Sequence, residues 1–327
     1  MRAVWYDKQG PARDVLVLGE MEKPAPQRGE ALIRIKASGV NPSDVGWRGG
    51  RAGPMAYPRI VTHSDGAGIV EAVGPWVSPS LVGKRVWFYN GQRNGRAFGS
   101  CAEYISLDAD LVSPLPDHVS FAAGATLGIP AMTAHRCVFM YGPVQGRTLL
   151  VTGGAGAVGL YAVLLASWAG ATVIATVSSA EKGERAKQGG AQHTINYKTE
   201  DVAARVAEIT GGAGVDHVVD VDFGGNLAHT LPSLKNNGTL AFYATRGEPS
   251  PKLMAGILMQ KNIQIAGMVL PAAPHEARRR AQADISHWIA TGERLLNVAA
   301  TFPLEETAAA HELVETWGKD GTVVVEP

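Results

Sequence analysis

The chain has 327 residues, room for two domains at about 150 residues each, and its 30 basic and 30 acidic side chains cancel, so bulk charge draws it neither to nucleic acid nor to an anionic membrane. Its two cysteines, Cys101 and Cys137, form no CxxC or CxxxxC spacing, which excludes a disulfide framework and a cysteine-built zinc site and reads both as buried thiols. MRAVWYDKQG has no apolar run behind a basic start, and no apolar stretch approaches ~20 residues, so a cytoplasmic chain with small-molecule partners is expected.

Up to about residue 120 the runs RAVWY, ALIRIKASGV, AGIVEAVG, KRVWFYNG and SCAEYISL alternate with turn residues, the texture of short β-strands. FAAGATLGIPAMTAHRCVFMYG is rich in alanine, with apolar positions three and four apart, and predicts helices broken at Pro130. Strand-like and helix-like runs then take turns: TLLVTGG, AVGLYAVLLASWAG, ATVIATVS, EKGERAKQGGA, DVAARVAEITGG, VDHVVDVD, NLAHTLPSLKNNG and TLAFYAT. That alternation predicts an α/β unit, a doubly wound parallel sheet with helices on both faces. After Val269 come the helical EARRRAQADISHWIATG and an edge-like TVVVEP. Neither an internal repeat nor a low-complexity segment is present.

The motif that carries chemistry is VTGGAGAVGL, 151–160. TLLVTG reads as a strand, AVGLYAVLLASWAG as a helix, and Gly154, Ala155, Gly156, Ala157, Val158 and Gly159 form a GxGxxG corner between them. Such glycines permit a tight turn, close approach of backbone to a pyrophosphate and close packing of the helix. The helix N-terminus then attracts the anion. Where the second strand ends, an acidic residue would hold the ribose hydroxyls of NAD. Here the corner is Ser178-Ser179 with Lys182 just beyond, which favours the 2′-phosphate of NADPH.

Several segments together resemble the zinc-independent quinone oxidoreductases of the zeta-crystallin type, within the medium-chain dehydrogenases/reductases. They are GVNPSD (39–44), SDGAGIVEAVG (64–74), GSCAEYISL (99–107), GATLGIPAMTAHR (124–136), VTGGAGAVG (151–159) and INY (195–197), and they span nearly the whole chain in order. The resemblance implies a GroES-like β-rich catalytic domain, 1–121 with 268–327, and an inserted Rossmann domain, 122–267. Zinc members of the superfamily carry a Cys where this chain has Asn41, and a GHE triplet where it has His63-Ser64-Asp65. One histidine and one carboxylate without a thiolate do not make a three-ligand site, so no metal is expected and His63 reads as a packed or hydrogen-bonded ring.

By the same resemblance Asn41 belongs beside the nicotinamide and substrate, and Thr133 near the nicotinamide. Asn41 also reads as a turn former in NPSD. The resemblance further places Tyr197 on the adenosine side. Asn226 with Tyr243, Ala244, Thr245 and Arg246 falls over the diphosphate and nicotinamide, and Val269 with Leu270 by the carboxamide. Gly46 replaces a tyrosine common in the family, so substrate specificity is not fixed by the resemblance, and Trp47 reads either as filling that space or as core. Hydride transfer from NADPH to a quinone or an α,β-unsaturated carbonyl is the expected activity. The alternatives are an alcohol dehydrogenase relative and a non-catalytic NADPH-binding protein. A homodimer is expected, with IQIAGMVL (263–270) able to pair across a two-fold axis. The Arg278-Arg279-Arg280 run reads as a solvated helix face.

Overall fold

The computed structural model describes residues 1–93, 95–292, 294–316 and 320–327. They form two compact units, Met1–Pro130 with Gln282–Pro327, and Ala131–Ala281.

In the second unit six parallel strands lie in the order His193–Asn196, Thr172–Val177, Thr148–Val151, Val215–Asp220, Leu234–Phe242, Gln264–Gly267. Numbered along the chain this is 3-2-1-4-5-6, the Rossmann order, with its switch point between Thr148–Val151 and Val215–Asp220. TLLV and TVIATV are nearly continuous apolar runs because strands covered on both faces need no polar side. The helix Ala157–Trp168 is apolar almost all round and buries Leu160, Tyr161, Val163 and Leu165, as a helix pressed onto a sheet requires. Leu150, Ile174, Val218, Leu231 and Leu240 belong to one core cluster on this sheet.

The first unit is β-rich. Its larger sheet runs Val298–Pro303, Thr322–Glu326, Glu30–Val40, Asp65–Val73, Arg85–Phe88, Val112–Pro114, with Tyr104–Asp108 also paired to Glu30–Val40. Thr322–Glu326 is therefore an inner strand and not the edge its sequence suggested. TVVVE is apolar at successive positions because Val298–Pro303 pairs on one side and Glu30–Val40 on the other. A smaller sheet joins Val17–Glu20, Arg2–Tyr6 and Ile60–Val61.

Between residues 121 and 139 the chain makes a helix, Phe121–Gly124, a π-type turn, Leu127–Ala131, and a second helix, Met132–Phe139. The break predicted at Pro130 lies in that turn, with its non-helical backbone at Gly128 (φ −65°, ψ −114°). Among the described residues no helix is long and apolar enough to cross a membrane.

Candidate active site

In the second unit the glycine corner follows the strand Thr148–Val151. Gly153 takes the left-handed backbone of the turn, at φ +64°. A Cβ on Gly154 would stand 2.7 Å from the Cβ of Ala175 in the neighbouring strand, and one on Gly159 would run into the Gly153 carbonyl. Turning thus belongs to Gly153, while Gly154 and Gly159 permit close packing. Gly156 is the N-cap of Ala157–Trp168, whose 12 residues aim a positive dipole end out of the corner. Thr176 fastens the loop: its hydroxyl accepts from Gly153 N at 3.1 Å and its carbonyl from Gly154 N at 2.9 Å.

The strand Thr172–Val177 is followed directly by Ser178. Ser179 caps the next helix, Ala180–Gln188, its hydroxyl oxygen accepting from Lys182 N at 3.3 Å. Because the cap uses only the oxygen, the Ser179 O–H remains a donor. Tyr197 is 52% exposed and lines a cavity of about 240 Å³ with Thr152, Thr176, Asn226 and His229.

Asp220 closes its strand at the switch point. Its Oδ1 accepts from Thr152 Oγ1 at 2.8 Å, Asn226 Nδ2 at 2.7 Å and Asp222 N at 3.0 Å. Burial pushes the Asp220 carboxyl upward despite these donors. Asp222 gathers the run after the fifth strand, accepting from Arg246 N at 2.6 Å and Gly247 N at 3.0 Å. Tyr243 N and the Ala244 carbonyl tie the same run to Asp220 O and Phe223 N, and Thr245 Oγ1 accepts from Gly224 N at 3.3 Å. Thr152, Asp220 and Asp222 were absent from the sequence reading, although VVDVD ended a predicted strand there.

Val269 is 62% exposed, whereas the Leu270 side chain is buried, which leaves only its main chain to meet a ligand. Arg278 was expected on a solvated face. Instead its guanidinium donates to the Pro271 and Ala273 carbonyls at 2.9 and 3.1 Å, anchoring the turn Leu270–Ala272. Thr133 is buried on Met132–Phe139.

In the first unit Asn41 is the N-cap of a seven-residue helix, Pro42–Arg48, and not a free turn. The register that pairs Gly39 with Asp65 brings Asn41 to the Asp65 carboxyl, and Asn41 Nδ2 donates to Asp65 Oδ2 at 2.8 Å. Asp44 Oδ2 accepts from Asn41 N at 2.9 Å, while Asp44 Oδ1 takes Ser64 Oγ at 3.1 Å and Arg93 at 3.0 Å.

His63 lies next in the same buried cluster, with its backbone in the left-handed region at φ +71°. That conformation is strained for a side chain of this size, and the ring is held at both nitrogens. Nδ1 lies 2.8 Å from Ser38 Oγ and Nε2 lies 2.9 Å from His311 Nε2. Ser38 Oγ is 2.8 Å from Ser100 Oγ, which donates to the Asp65 carbonyl at 2.6 Å. Because a carbonyl can only accept, and burial keeps both rings neutral, this last bond fixes the direction of all the others. Ser100 spends its hydrogen on Asp65, so Ser38 donates to Ser100 and His63 Nδ1–H donates to Ser38. His63 Nε2 is then a bare acceptor, and His311 Nε2–H donates to it. Among the described residues the buried lone pair of His311 Nδ1 has no partner. Burial agrees with two neutral rings, pushing His63 down to about 4 and His311 well below its ordinary range.

Both cysteines are buried free thiols, and burial raises each to about 12. Among the described residues no group of three or more His, Cys, Asp or Glu is placed to hold a metal ion.

Two family models match the chain, alcohol dehydrogenase GroES-like domain over residues 27–117 and zinc-binding dehydrogenase over residues 157–285. A 2-haloacrylate reductase of a Burkholderia species is 34% identical, the match covering 100% of this chain and 99% of that protein. Quinone oxidoreductase of Rattus norvegicus is 30% identical over 99% of this chain and 97% of its own. A mycobacterial protein solved in complex with NADPH is 31% identical, superimposes with a TM-score of 0.85 and is matched over 100% of both chains.

Proposed function

The chain belongs to the quinone oxidoreductase family of the medium-chain dehydrogenases/reductases, and on that footing we propose that it passes hydride from NADPH to a quinone or an α,β-unsaturated carbonyl without a metal. The observation that carries the reading is the glycine corner at the switch point, followed by a second strand that ends in two serines and no acid. The corner fits the cofactor because a side chain at Gly154 or Gly159 would collide with its own packing partner, and the helix behind it points its dipole outward. Ser178, Ser179 and Lys182 would hold the 2′-phosphate, with Tyr197 and Asn226 along the cavity they line and residues 243–246 over the diphosphate and nicotinamide. Bound NADPH supplies the hydride.

Thr133 and the main chain of Val269 and Leu270 serve the nicotinamide end in this reading. Asn41 orients the acceptor. One N–H of its amide is given to Asp65, which leaves the second to donate to a carbonyl oxygen as negative charge develops there. Metal independence rests on chemistry: an amide stands where zinc members place a thiolate, and His63 already has both ring nitrogens engaged.

A homodimer belongs to the same proposal. Among the described residues Gln264–Gly267 is the edge of its sheet, paired with Leu234–Phe242 alone, and Val269 and Met259 are exposed. A monomer mass in light scattering at micromolar concentration would remove it. We place the protein in the cytoplasm. The activity is tested by following NADPH oxidation against a panel of quinones, enones and enals, with turnover of at least one class expected. Saturable NADPH binding without turnover of any acceptor would favour the non-catalytic reading.

A further inference from the structure

Asp65 is wholly buried, and its two carboxylate oxygens are treated very differently. Oδ2 accepts two N–H groups, Asn41 Nδ2 and Ile129 N, each at 2.8 Å. Among the described residues Oδ1 has no hydrogen-bond partner, and it lies against Gly128, where any side chain would overlap it. The residue is also clamped from behind, since its carbonyl accepts from Ser100 and its backbone pairs with Gly39.

An ionised carboxylate with one bare oxygen against carbon would be costly to bury. A carboxylic acid, with the hydroxyl on Oδ1 and both donors on the carbonyl-type Oδ2, fits the same geometry at far lower cost. Burial, and then the nearby Asp44, push the Asp65 carboxyl well above its usual range, with Asn41, Ile129 and Arg93 acting in the opposite sense. The Ile129 N–H is a backbone donor, so Oδ2 must accept. Asn41 is therefore obliged to present its nitrogen and not its oxygen.

We propose that Asp65 is the positioning residue for the acceptor: it fixes the polarity of the Asn41 amide so that an N–H, and not the amide oxygen, meets the carbonyl being reduced. The proposal rests on the reading that Asn41 orients the acceptor. An amide freed from Asp65 could flip and set its oxygen against the acceptor oxygen, which repels the developing charge instead of stabilising it. Asp65 touches neither acceptor nor cofactor in this role and acts only through Asn41.

The test uses the full chain and the variants Asp65→Ala, Asp65→Asn, Asn41→Ala and the double variant Asp65→Ala/Asn41→Ala. Thermal melting checks that each folds, and NADPH binding by fluorescence checks the second unit. Asp65→Ala is expected to slow enone reduction by on the order of 10²-fold with NADPH binding retained, as loss of one oriented donor does. Asp65→Asn keeps a neutral side chain with an accepting oxygen, and is expected to restore most of the rate. The double variant should fall no further than Asn41→Ala, because the two residues act as one. Multiplied losses in the double variant, or Asp65→Asn as slow as Asp65→Ala, would overturn the proposal.

A second readout needs neither cofactor nor turnover. The side-chain amide resonances of Asn41, assigned by ¹⁵N labelling and the Asn41→Ala spectrum, should keep their hydrogen-bonded shifts in Asp65→Asn and move to solvent-like values in Asp65→Ala. Infrared difference spectra of wild type against Asp65→Asn should show the carbonyl stretch of a protonated acid at neutral pH. A wild-type protein without NADPH turnover would sink the functional reading while these spectra still report on Asp65. An Asn41 amide indifferent to Asp65→Ala, or a carboxylate stretch in place of the acid, would sink the positioning role.

Discussion

At the glycine corner the groups that would meet a ligand belong to the main chain, and the side chains have been withdrawn. Around Asn41 the reverse holds, with Asn41, Asp44, His63, Asp65, Ser38, Ser100 and His311 all buried and bonded side chain to side chain. On the proposed function the contrast follows from what each region would bind. A diphosphate carries full charge and asks for many donors at close range, which a helix start and a shaved backbone provide. A carbonyl acquires charge only as hydride arrives, and one donor held in the correct orientation is worth most there.

The largest effect should therefore come from the side-chain region. Asn41→Ala is expected to lower turnover by roughly 10²- to 10³-fold with an enone, less with a reactive quinone, and to leave NADPH affinity nearly unchanged. Single-turnover NADPH oxidation with both acceptors checks it. Equal rates for variant and wild type would return Asn41 to a capping role.

The same region should make stability depend on pH. His63 is neutral in the fold down to about 4, against 6.5 for an ordinary imidazole, and His311 shifts in the same sense. A depressed folded pKa contributes stability that is fully present above about 6.5 and is lost as pH falls toward 4, because the unfolded chain takes up the proton first. For His63 alone that amounts to about 3 kcal/mol across the window. Asp65 and Asp220, both raised in the fold, act in the opposite sense over the same window, so the contribution of the histidine pair is read as the difference between wild type and His311→Gln in urea unfolding from pH 7.5 to 4.5. His311→Gln, whose amide can still donate to His63 Nε2, should remove the share that His311 contributes. A wild-type profile no steeper than that of the variant would contradict the pair.

The corner was legible from ten residues because its requirements are local: a strand, glycines where a Cβ would collide, and a helix. The Asn41 cluster was not. Asn41 and Asp65 lie 24 residues apart, His63 and His311 lie 248 apart, and only the sheet register and the packing of Thr307–Glu315 bring them together. His63 was correctly read as hydrogen-bonded, but its partners could not be named. Thr322–Glu326 misled for a related reason, since a terminal apolar strand looks the same whether one neighbour or two pair with it.

Smaller effects are expected beyond the second strand of the same unit as the corner. Lys182→Ala should weaken NADPH binding by about 1 to 3 kcal/mol and leave NADH binding alone, if its charge meets the 2′-phosphate. Titration with both cofactors decides it, and equal weakening of the two would place Lys182 away from that phosphate. Prolonged chelation should change nothing at all, whereas stoichiometric zinc by elemental analysis together with a lost rate would restore a metal to the reaction.

The assignment of the cofactor to the second unit and of the acceptor to the Asn41 cluster is tested most directly by crossing the two variants. NADPH affinity and the single-turnover rate at saturating NADPH are measured on wild type, Asn41→Ala and Lys182→Ala with one enone. Asn41→Ala should change the rate and spare the affinity, and Lys182→Ala should weaken the affinity and spare the rate. A variant that moves both quantities together, or an Asn41→Ala protein that loses NADPH while reducing the enone at the wild-type rate, would contradict the account.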